Sequence, residues 1–394
     1  MKKCLAFLLL FVFCFSIVFS VASFADSTDE KSEYNLTSAD FTVNAKSAVL
    51  MEARTGTVLF SQNECESASP ASVTKIMTLL LVMEALEDGR ISLTDTVSVS
   101  AHAASMGGSQ VFLSEGERMS VEDLIKCTVI ASANDAAVAL AEHVFGSEDA
   151  FVKKMNDKAR ELGMKYTNFE NTTGLDDSTK NHVTSALDIA IMSRELIKHE
   201  LILKYSSCWQ ETIRNGEFTL TNTNRLVRFY DGCNGLKTGS TDKAGFCIST
   251  TAKRGDMQLI AVIMGAETRD SRNEIARRLL DFGFSNFALF VREERSIGEI
   301  PVIRGTRDKL TVSAKKIEKV INKSDLKSVT EVYDIADNIT APCKKGDKVG
   351  QIRYEIKGKL LCKSSVVASE DIERINYFGI LKKIVECALM GKNH

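Results

Sequence analysis

The stretch Pro70-Ala71-Ser72-Val73-Thr74-Lys75-Ile76-Met77-Thr78 places a serine and a lysine three residues apart behind a proline. Proline is favoured at the start of a helix, where its missing N–H needs no partner. Residues three apart share one face of a helix, so Ser72 and Lys75 are predicted to meet. A serine hydroxyl becomes a useful nucleophile when a nearby base accepts its proton. The stretch therefore predicts a helix that carries a serine nucleophile and Lys75 as its base.

The same spacing of serine and lysine recurs in residues 313–316 and 324–327, so the pair alone is weak evidence. We interpret these two copies as solvated lysines of a second domain. Ser72 differs from them because Ser132-Ala133-Asn134 and then Lys237-Thr238-Gly239 follow it. Three motifs in this order favour a single catalytic site.

Lys75 must be unprotonated to act as a base, whereas an ordinary lysine has a pKa near 10.4. Burial beside a second cation disfavours the ammonium form, and Lys237 is the candidate cation. Lowering the pKa by about three units corresponds to about 4 kcal/mol. We expect both lysines to be buried in one site.

The other motif residues suit a peptide that ends in a free carboxylate. Ser132 can bridge the two lysines and relay a proton to the leaving amine, and Asn134 can hold a substrate carbonyl or orient the base. Lys237 and Thr238 offer a cation and a hydroxyl to the carboxylate. Gly239 allows a strand edge to approach the substrate backbone.

Other kinds of hydrolase are not indicated. The chain has no G-x-S-x-G motif, and its five histidines form no H-E-x-x-H pair. Neither a metal nor another cofactor is expected. Charged residues make up 26% and apolar residues 44%, with a net charge of −2, so neither disorder nor nucleic-acid binding is indicated.

The N-terminus resembles an export signal. A basic start leads into an apolar run, and cleavage after Ala25 would make residues 1–25 a signal peptide and 26–43 a flexible leader. The run is long, so an uncleaved anchor is the alternative, and either reading places the protein outside the cytoplasm. Two of the ten cysteines lie in this signal. The other eight are scattered singly and are expected to be mostly free thiols, with a disulfide left open.

At 394 residues, the chain is expected to form a large and a smaller domain. Residues 44–290 predict a mixed α/β domain, with strand hairpins near 48–60 and 245–264 and a helix that begins at Ser120. Residues 291–371 predict a small β-rich domain. Within it, apolar side chains alternate over residues 352–356, which indicates a strand with one buried face.

The C-terminal segment, residues 372–394, predicts an amphipathic helix that Gly379 weakens. Its apolar stripe could belong to a core. The alternative, which we favour, is that the stripe lies on the outer surface of the cytoplasmic membrane, with Lys382 and Lys383 facing anionic headgroups.

The chain from about residue 48 onward resembles the D-alanyl-D-alanine carboxypeptidases, which are low-molecular-mass penicillin-binding proteins. The resemblance rests on the three motifs and their flanks and on three further segments, residues 108–113, 169–176 and 182–188. It implies a β-lactamase/transpeptidase-like domain, in which an antiparallel sheet is flanked by helices, followed by a small β-rich domain and a terminal helix.

The resemblance also implies a reaction. Ser72 would be acylated by the penultimate D-alanine of a peptidoglycan stem peptide, terminal D-alanine would leave, and water would hydrolyse the acyl-enzyme. The backbone amides of Ser72 and Ser240 would form the oxyanion hole. β-Lactam antibiotics would mimic the substrate and inhibit the enzyme.

Two positions depart from the family pattern. Ser240 stands where many relatives have a histidine or tyrosine, and Glu267 where some have an arginine. Arg272 or Arg225 is the candidate replacement for binding the terminal carboxylate. Three alternatives stay open: a serine β-lactamase with Glu170 as its general base, a non-catalytic binding module, and an endopeptidase that cleaves cross-links.

Overall fold

A computed structural model describes residues 32–177 and 179–390, so the predicted signal peptide lies outside the described residues. The strands are β1 (Ser47–Glu52), β2 (Val58–Gln62), β3 (Thr96–Ser98), β4 (Arg118–Ser120), β5 (Gln210–Ile213), β6 (Phe218–Thr221), β7 (Cys233–Thr241), β8 (Gly245–Arg254), β9 (Met257–Ala266), β10 (Phe287–Arg292), β11 (Arg295–Ile303), β12 (Lys309–Ala314), β13 (Ile317–Asn322), β14 (Val329–Ile335), β15 (Ile339–Thr340), β16 (Lys348–Ile356) and β17 (Lys359–Ala368). The α-helices are α1 (Lys75–Glu87), α2 (Ala101–Ala104), α3 (Val121–Ile130), α4 (Asn134–Phe145), α5 (Glu148–Glu161), α6 (Ala186–Leu196), α7 (Glu200–Ser206), α8 (Leu226–Phe229), α9 (Arg269–Asn286) and α10 (Tyr377–Met390). Shorter 3-10 turns lie at Ala71–Thr74, Arg214–Gly216 and Lys323–Ser328.

An antiparallel sheet with the strand order β2-β1-β9-β8-β7 organises the first part of the chain. Successive side chains of a strand point to opposite faces. Val49 and Met51 of β1 accordingly pack into one hydrophobic core, whereas Ala48 and Leu50 pack into another. Helices α1 and α6 contribute to the first core and α9 to the second. The predicted mixed α/β fold with an antiparallel sheet flanked by helices is confirmed.

The local signals in the sequence correspond to real elements. Strands β1 and β2 form the first predicted hairpin, and β8 and β9 form the second. The second hairpin extends to the pair Arg254 and Met257, beyond the predicted strand ends. Helix α3 begins after Ser120, whose hydroxyl accepts a hydrogen bond from the amide of Asp123 at 3.1 Å.

The β-rich part contains a sheet with the strand order β14-β16-β17-β12-β11-β15 and a separate pair, β10 and β13. Ile352, Tyr354 and Ile356 are buried in its core, as their alternation predicts. The predicted domain boundary at residue 290 falls inside β10. Phe287 of this strand packs in the core of the first part and Phe290 in that of the second, because β10 crosses from one to the other.

The predicted flexible leader is held in place over its described part, from residue 32. This segment has no helix or strand, but the Tyr34 hydroxyl donates to Asp325 at 2.9 Å and accepts from the Asn322 amide at 2.9 Å. Phe41 stacks on Phe60 with ring centroids 5.4 Å apart. Aromatic burial and hydrogen bonds thus fix a stretch whose polar composition suggested flexibility.

The terminal helix α10 begins at Tyr377, later than predicted. Ile372 and Arg374 form β-bridges to Cys343 and Gly305, so residues 372–375 belong to the β-rich part. Helix α10 exposes a series of large apolar side chains, including Phe378, Leu381 and Leu389. No helix within residues 32–177 and 179–390 is long and apolar enough to span a membrane.

Seven cysteines of the described part are free thiols. They are Cys65, Cys127, Cys208, Cys233, Cys247, Cys343 and Cys362.

Candidate active site

Ser72 lies in the 3-10 turn Ala71–Thr74, which leads directly into α1 at Lys75. The predicted meeting of the two side chains occurs, with Lys75 Nζ 3.0 Å from Ser72 Oγ. Ala71 has a φ of 47°, a left-handed conformation that costs free energy for a residue with a Cβ atom. The chain therefore bends sharply where it presents the serine.

Lys75 is fully buried and surrounded by neutral acceptors. Its Nζ lies 2.5 Å from Asn134 Oδ1 and 2.9 Å from the Thr173 carbonyl oxygen. Burial holds the pKa of Lys75 well below its usual value, and the positive charge of Lys237 lowers it further. These surroundings favour the neutral amine form of Lys75 more than solvent would.

The second motif lies at the junction of α3 and α4. Ser132 has a φ of 65° and lines the same groove as Ser72, while Asn134 begins α4. Asn134 contacts Lys75 through its Oδ1, and its Nδ2 donates to the Gly107 carbonyl at 2.7 Å. Within the described residues, the Ser132 hydroxyl forms no hydrogen bond to either lysine. Lys237 instead donates to the Thr238 carbonyl at 2.9 Å.

The third motif lies on β7, beside the 3-10 turn Ala71–Thr74, which carries the predicted nucleophile Ser72 and is here called the nucleophile turn. Burial and then the charge of Arg272 lower the pKa of Lys237 to about 7. A Cβ atom on Gly239 would lie 2.8 Å from the Ser72 amide nitrogen, so only glycine allows this approach. The next residue, Ser240, is exposed at the groove. Strand β7 thus brings the Ser240 backbone close to that of Ser72.

The segment 169–184, here called the clamp loop, links the nucleophile turn to strand β7. Its roles were not predicted from the sequence. Asp176 accepts hydrogen bonds from the hydroxyl of Ser69, at 2.7 Å, and from that of Thr241. Gly174 has a φ of +83°, and a Cβ atom there would lie 1.8 Å from the Ala71 carbonyl oxygen. The carbonyl of Thr173 contacts Lys75 through the backbone, which leaves no residue-type signal.

His182, also in the clamp loop, forms a hydrogen bond with Thr74 of the nucleophile turn. Its Nδ1 accepts a hydrogen bond from the Glu170 amide at 2.9 Å, so its Nε2 carries the proton toward Thr74 Oγ1 at 2.8 Å. Burial lowers the pKa of His182 to about 4, which keeps the ring neutral. The only sequence signal was its place in a segment of the family resemblance.

Glu170, the candidate base of a β-lactamase, has a structural role instead. Its exposed carboxylate accepts hydrogen bonds from the amides of Lys180 and Asn181 at 2.8 and 3.1 Å. These bonds hold the clamp loop closed. The geometry therefore disfavours the β-lactamase alternative.

A groove of about 540 Å³ is lined by Ser72 and Thr238 and by three arginines, Arg225, Arg269 and Arg272. Arg272 is buried, and its guanidinium donates to Asn273 Oδ1 at 2.9 Å. Glu267 is exposed, whereas both candidate arginines for carboxylate binding line the groove. Within residues 32–177 and 179–390, no cluster of three or more His, Cys, Asp or Glu side chains forms a metal site.

Comparison with known proteins identifies the family. The profile described as D-alanyl-D-alanine carboxypeptidase matches residues 33–268, more than half of the chain. This chain belongs to the D-alanyl-D-alanine carboxypeptidase family. A second profile, the C-terminal domain of penicillin-binding protein 5, matches residues 284–374. The family and enzyme class that the motifs predicted are confirmed.

Individual relatives cover nearly the whole chain. The D-alanyl-D-alanine carboxypeptidase DacF of Bacillus subtilis is 42% identical over 368 residues, which span 92% of this chain and 94% of the relative. The Escherichia coli carboxypeptidase DacC is 34% identical and covers 86% of each chain. Penicillin-binding protein 5 of Haemophilus influenzae superposes with a TM-score of 0.77 at 32% identity, over 86% of this chain and 100% of that one. Penicillin-binding protein D2 of Listeria monocytogenes, solved with ampicillin bound, superposes with a TM-score of 0.58 at 31% identity, over 62% of this chain and 100% of that one.

Proposed function

We propose that Ser72 is the nucleophile with which this carboxypeptidase removes the terminal D-alanine from peptidoglycan stem pentapeptides. The observation that carries the proposal is the surroundings of Lys75. Its Nζ contacts the Ser72 hydroxyl and two carbonyl oxygens, and no carboxylate of the described residues pairs with it. A neutral amine has two N–H groups and one lone pair. The two carbonyl oxygens accept hydrogen bonds from the N–H groups, so the lone pair faces the serine hydroxyl.

The reaction begins when the Lys75 lone pair takes the Ser72 proton and Oγ attacks the carbonyl of the penultimate D-alanine. The Ser72 and Ser240 amides stabilise the oxyanion. The amide bond breaks as the leaving amine receives a proton from Lys75, with Ser132 as the relay. Water then hydrolyses the ester and restores the serine.

The terminal carboxylate is bound where β7 meets Arg272. Thr238 supplies a hydroxyl beside the nucleophile, and Arg272 supplies a buried cation that lines the same groove. A buried guanidinium gains most from a carboxylate partner, because burial penalises an unpaired charge. Lys237, a buried residue of β7, adds positive charge to the same site.

β-Lactams are proposed to acylate Ser72 in the same way. The Listeria relative solved with ampicillin bound supports this proposal. An exported enzyme at the outer face of the cytoplasmic membrane fits the predicted signal sequence and the exposed apolar face of α10. Within that helix, Lys383 pairs with Asp308 and the more exposed Lys382 pairs with Glu386 at 3.9 Å, so lipid headgroups would compete with both carboxylates.

The test measures free D-alanine released from a stem pentapeptide and locates the adduct formed with labelled penicillin. We expect release by the wild-type protein and one adduct on Ser72. Ser72→Ala should abolish both. Ser313→Ala is the matched control, because Ser313 has the same spacing to a lysine but bonds to Ser369 in the β-rich part.

Two results would indicate an alternative function, and a third would refute the nucleophile. Penicillin binding without release of D-alanine would indicate a non-catalytic module. Rapid hydrolysis of penicillin would indicate a β-lactamase. An adduct that persists in Ser72→Ala would refute Ser72 as the nucleophile.

A further inference from the structure

Helix α5 begins with Glu148, a mostly buried acid that the proposed reaction does not use. Its side chain is 14% exposed. Ser147 caps the helix, so Glu148 lies in the first turn, where the helix dipole favours a negative charge. The two carboxylate oxygens contact two different segments of the chain, and both segments lead to Lys75.

The first oxygen holds the clamp loop next to the base. Glu148 Oε1 accepts hydrogen bonds from the Thr172 amide at 2.9 Å and from the Thr172 hydroxyl at 2.7 Å. The next residue, Thr173, carries the carbonyl oxygen that accepts from Lys75 Nζ at 2.9 Å. Thr172 and Thr173 are both fully buried. The position of this carbonyl oxygen therefore depends on a peptide segment that Glu148 fixes.

Thr172 is also bonded to helix α1, which carries the base. Its carbonyl oxygen accepts a hydrogen bond from the Thr78 hydroxyl at 2.7 Å. Thr78 follows Lys75 by three residues, so both side chains lie on one face of α1. Loss of the Glu148 side chain would leave the amide and the hydroxyl of Thr172 buried without that partner. Such groups are costly, so the segment is expected to shift.

The second oxygen contacts the segment that leads to Gly107. Glu148 Oε2 lies 2.8 Å from Nε2 of His102, in α2. Five residues after His102, the Gly107 carbonyl accepts from Asn134 Nδ2, and Asn134 Oδ1 is the other carbonyl oxygen that contacts Lys75. This second link passes through several residues of chain, so the link through Thr172 is the more direct one.

Charge strengthens the contacts of Glu148. Burial opposes its ionisation, but the hydrogen bonds from His102 and Thr172 hold the pKa of Glu148 below its usual value. The carboxylate is therefore ionised at neutral pH. Hydrogen bonds to an ionised acceptor are shorter and stronger than those between neutral groups.

We propose that Glu148 is a positioning residue for the base Lys75. By bonding to Thr172, it holds the Thr173 carbonyl oxygen where an N–H group of the amine donates to it. The lone pair of the amine then keeps its direction toward the Ser72 hydroxyl. The inference rests on the proposed function and adds to it a residue outside the three motifs. Glu148 itself transfers no proton.

The test measures the second-order rate constant of acylation by labelled penicillin and kcat/KM for D-alanine release from a stem pentapeptide. In Glu148→Ala, we expect both to fall about tenfold, because the charge-assisted bonds that fix Thr172 are lost. Glu148→Gln should stay within about threefold of the wild-type values, since its amide oxygen can still accept both bonds. This rescue separates hydrogen bonding at Thr172 from a general need for the negative charge.

Asp149→Ala is the matched control. Asp149 is exposed and lies in the same first turn of α5, so this variant removes the same charge from the start of the helix. It should keep the wild-type rate constants. The rate constant of acylation is measured on the protein that becomes labelled, so a smaller folded fraction does not change it.

A second variant removes part of the contact from the other partner. Thr172→Val deletes the hydroxyl and keeps the backbone amide and nearly the same shape. We expect it to slow acylation about threefold, the effect of one lost hydrogen bond. In the double variant with Glu148→Ala, the two effects should combine to less than their product, because residues in contact are coupled.

A wild-type rate constant of acylation in Glu148→Ala would overturn the inference. A Glu148→Gln enzyme as slow as Glu148→Ala would also overturn it, and so would effects of Glu148→Ala and Thr172→Val that multiply fully. A wild-type protein that neither releases D-alanine nor forms the penicillin adduct would instead overturn the proposed function.

Discussion

At the residue scale, the surroundings of Lys75 determine how the site responds to pH. An amine that is fully buried without a carboxylate partner disfavours its charged form, and the nearby Lys237 adds to this effect. Because the base must be neutral, acylation is lost as the pH falls below the pKa of Lys75. Because the pKa of Lys75 is lowered, we expect this loss at a lower pH than an ordinary lysine would give.

Lys75→Arg should reduce the acylation rate by about 10²- to 10⁴-fold, since arginine keeps the charge but does not deprotonate in this range. The measurement is the rate of penicillin acylation between pH 5 and pH 10, which should rise with pH in the wild-type enzyme. Lys316→Arg is the control, because Lys316 has the same spacing to a serine but pairs with Glu293 and Glu318. A wild-type rate in Lys75→Arg would show that the side chain acts through its charge alone.

The sequence indicated which residue types take part but left their partners open. The spacing of Ser72 and Lys75 predicted their contact because one helical turn fixes it. Asn134 had two possible roles, and only the fold shows that it contacts the lysine. The proposed bridge through Ser132 depends on side-chain rotation at a left-handed residue, which spacing does not determine.

At the scale of elements, the clamp loop determines the distance between the nucleophile turn and β7. Asp176 bonds to Ser69, which precedes the turn, and to Thr241, which follows Ser240. One carboxylate thus positions both backbone segments, the nucleophile turn and the end of β7, that are proposed to form the oxyanion hole. Its role is positioning, because it acts through these two hydroxyls.

Asp176→Asn should lower kcat for D-alanine release about tenfold and leave KM nearly unchanged. The amide keeps the shape but loses the charge-assisted hydrogen bonds, and a tenfold effect corresponds to about 1.4 kcal/mol. Steady-state kinetics should be measured beside the melting temperature. Asp177→Asn is the control, since Asp177 is the exposed neighbour. An Asp176→Asn enzyme with full kcat would show that the clamp is irrelevant to the reaction.

Elements with strong local periodicity were predictable, whereas the clamp loop was not. The strands of both hairpins follow from apolar runs around glycine turns. The clamp loop has neither helical nor alternating periodicity, and its contacts to Ala71 and Lys75 use backbone atoms. Such contacts depend on the tertiary fold.

At the scale of the whole molecule, α10 is joined to the β-rich part rather than to the catalytic groove. A cut after Asp371 would remove Ile372, which is buried and bridged to Cys343. A cut after Asn376 removes the helix and keeps those bridges. The second position is therefore the better test of membrane attachment.

We expect the protein that ends at Asn376 to lose binding to vesicles containing anionic lipid, while its kcat/KM on a small pentapeptide stays within twofold of the full-length value. In the proposed attachment, the apolar face of α10 would contribute most of the membrane contact, because burial in the acyl region favours apolar side chains. Sedimentation with vesicles measures binding. Leu381→Glu in the full chain is a milder variant and should weaken binding in the same direction. A truncated protein that still binds vesicles, or that loses peptide hydrolysis, would contradict the membrane assignment.

The domain order was predictable from the change in composition near residue 290, but the course of the leader was not. Tyr34 and Phe41 are isolated aromatic residues in a polar segment, and no local pattern indicates which surfaces they contact. Their partners lie near residues 322–325 and at Phe60, which only the tertiary fold brings within reach.

The position of β1 in the sheet constrains the order in which the chain acquires structure during synthesis. Strand β1 is made first but lies between β2 and β9, so its partner toward the centre of the sheet is missing until residues 257–266 have been synthesised. Until then the hairpin of β1 and β2 presents an open apolar edge, a feature that promotes aggregation. We therefore expect the sheet to form only once β9 is available, and the catalytic groove to form with it, because β7 joins the sheet through β8 and β9.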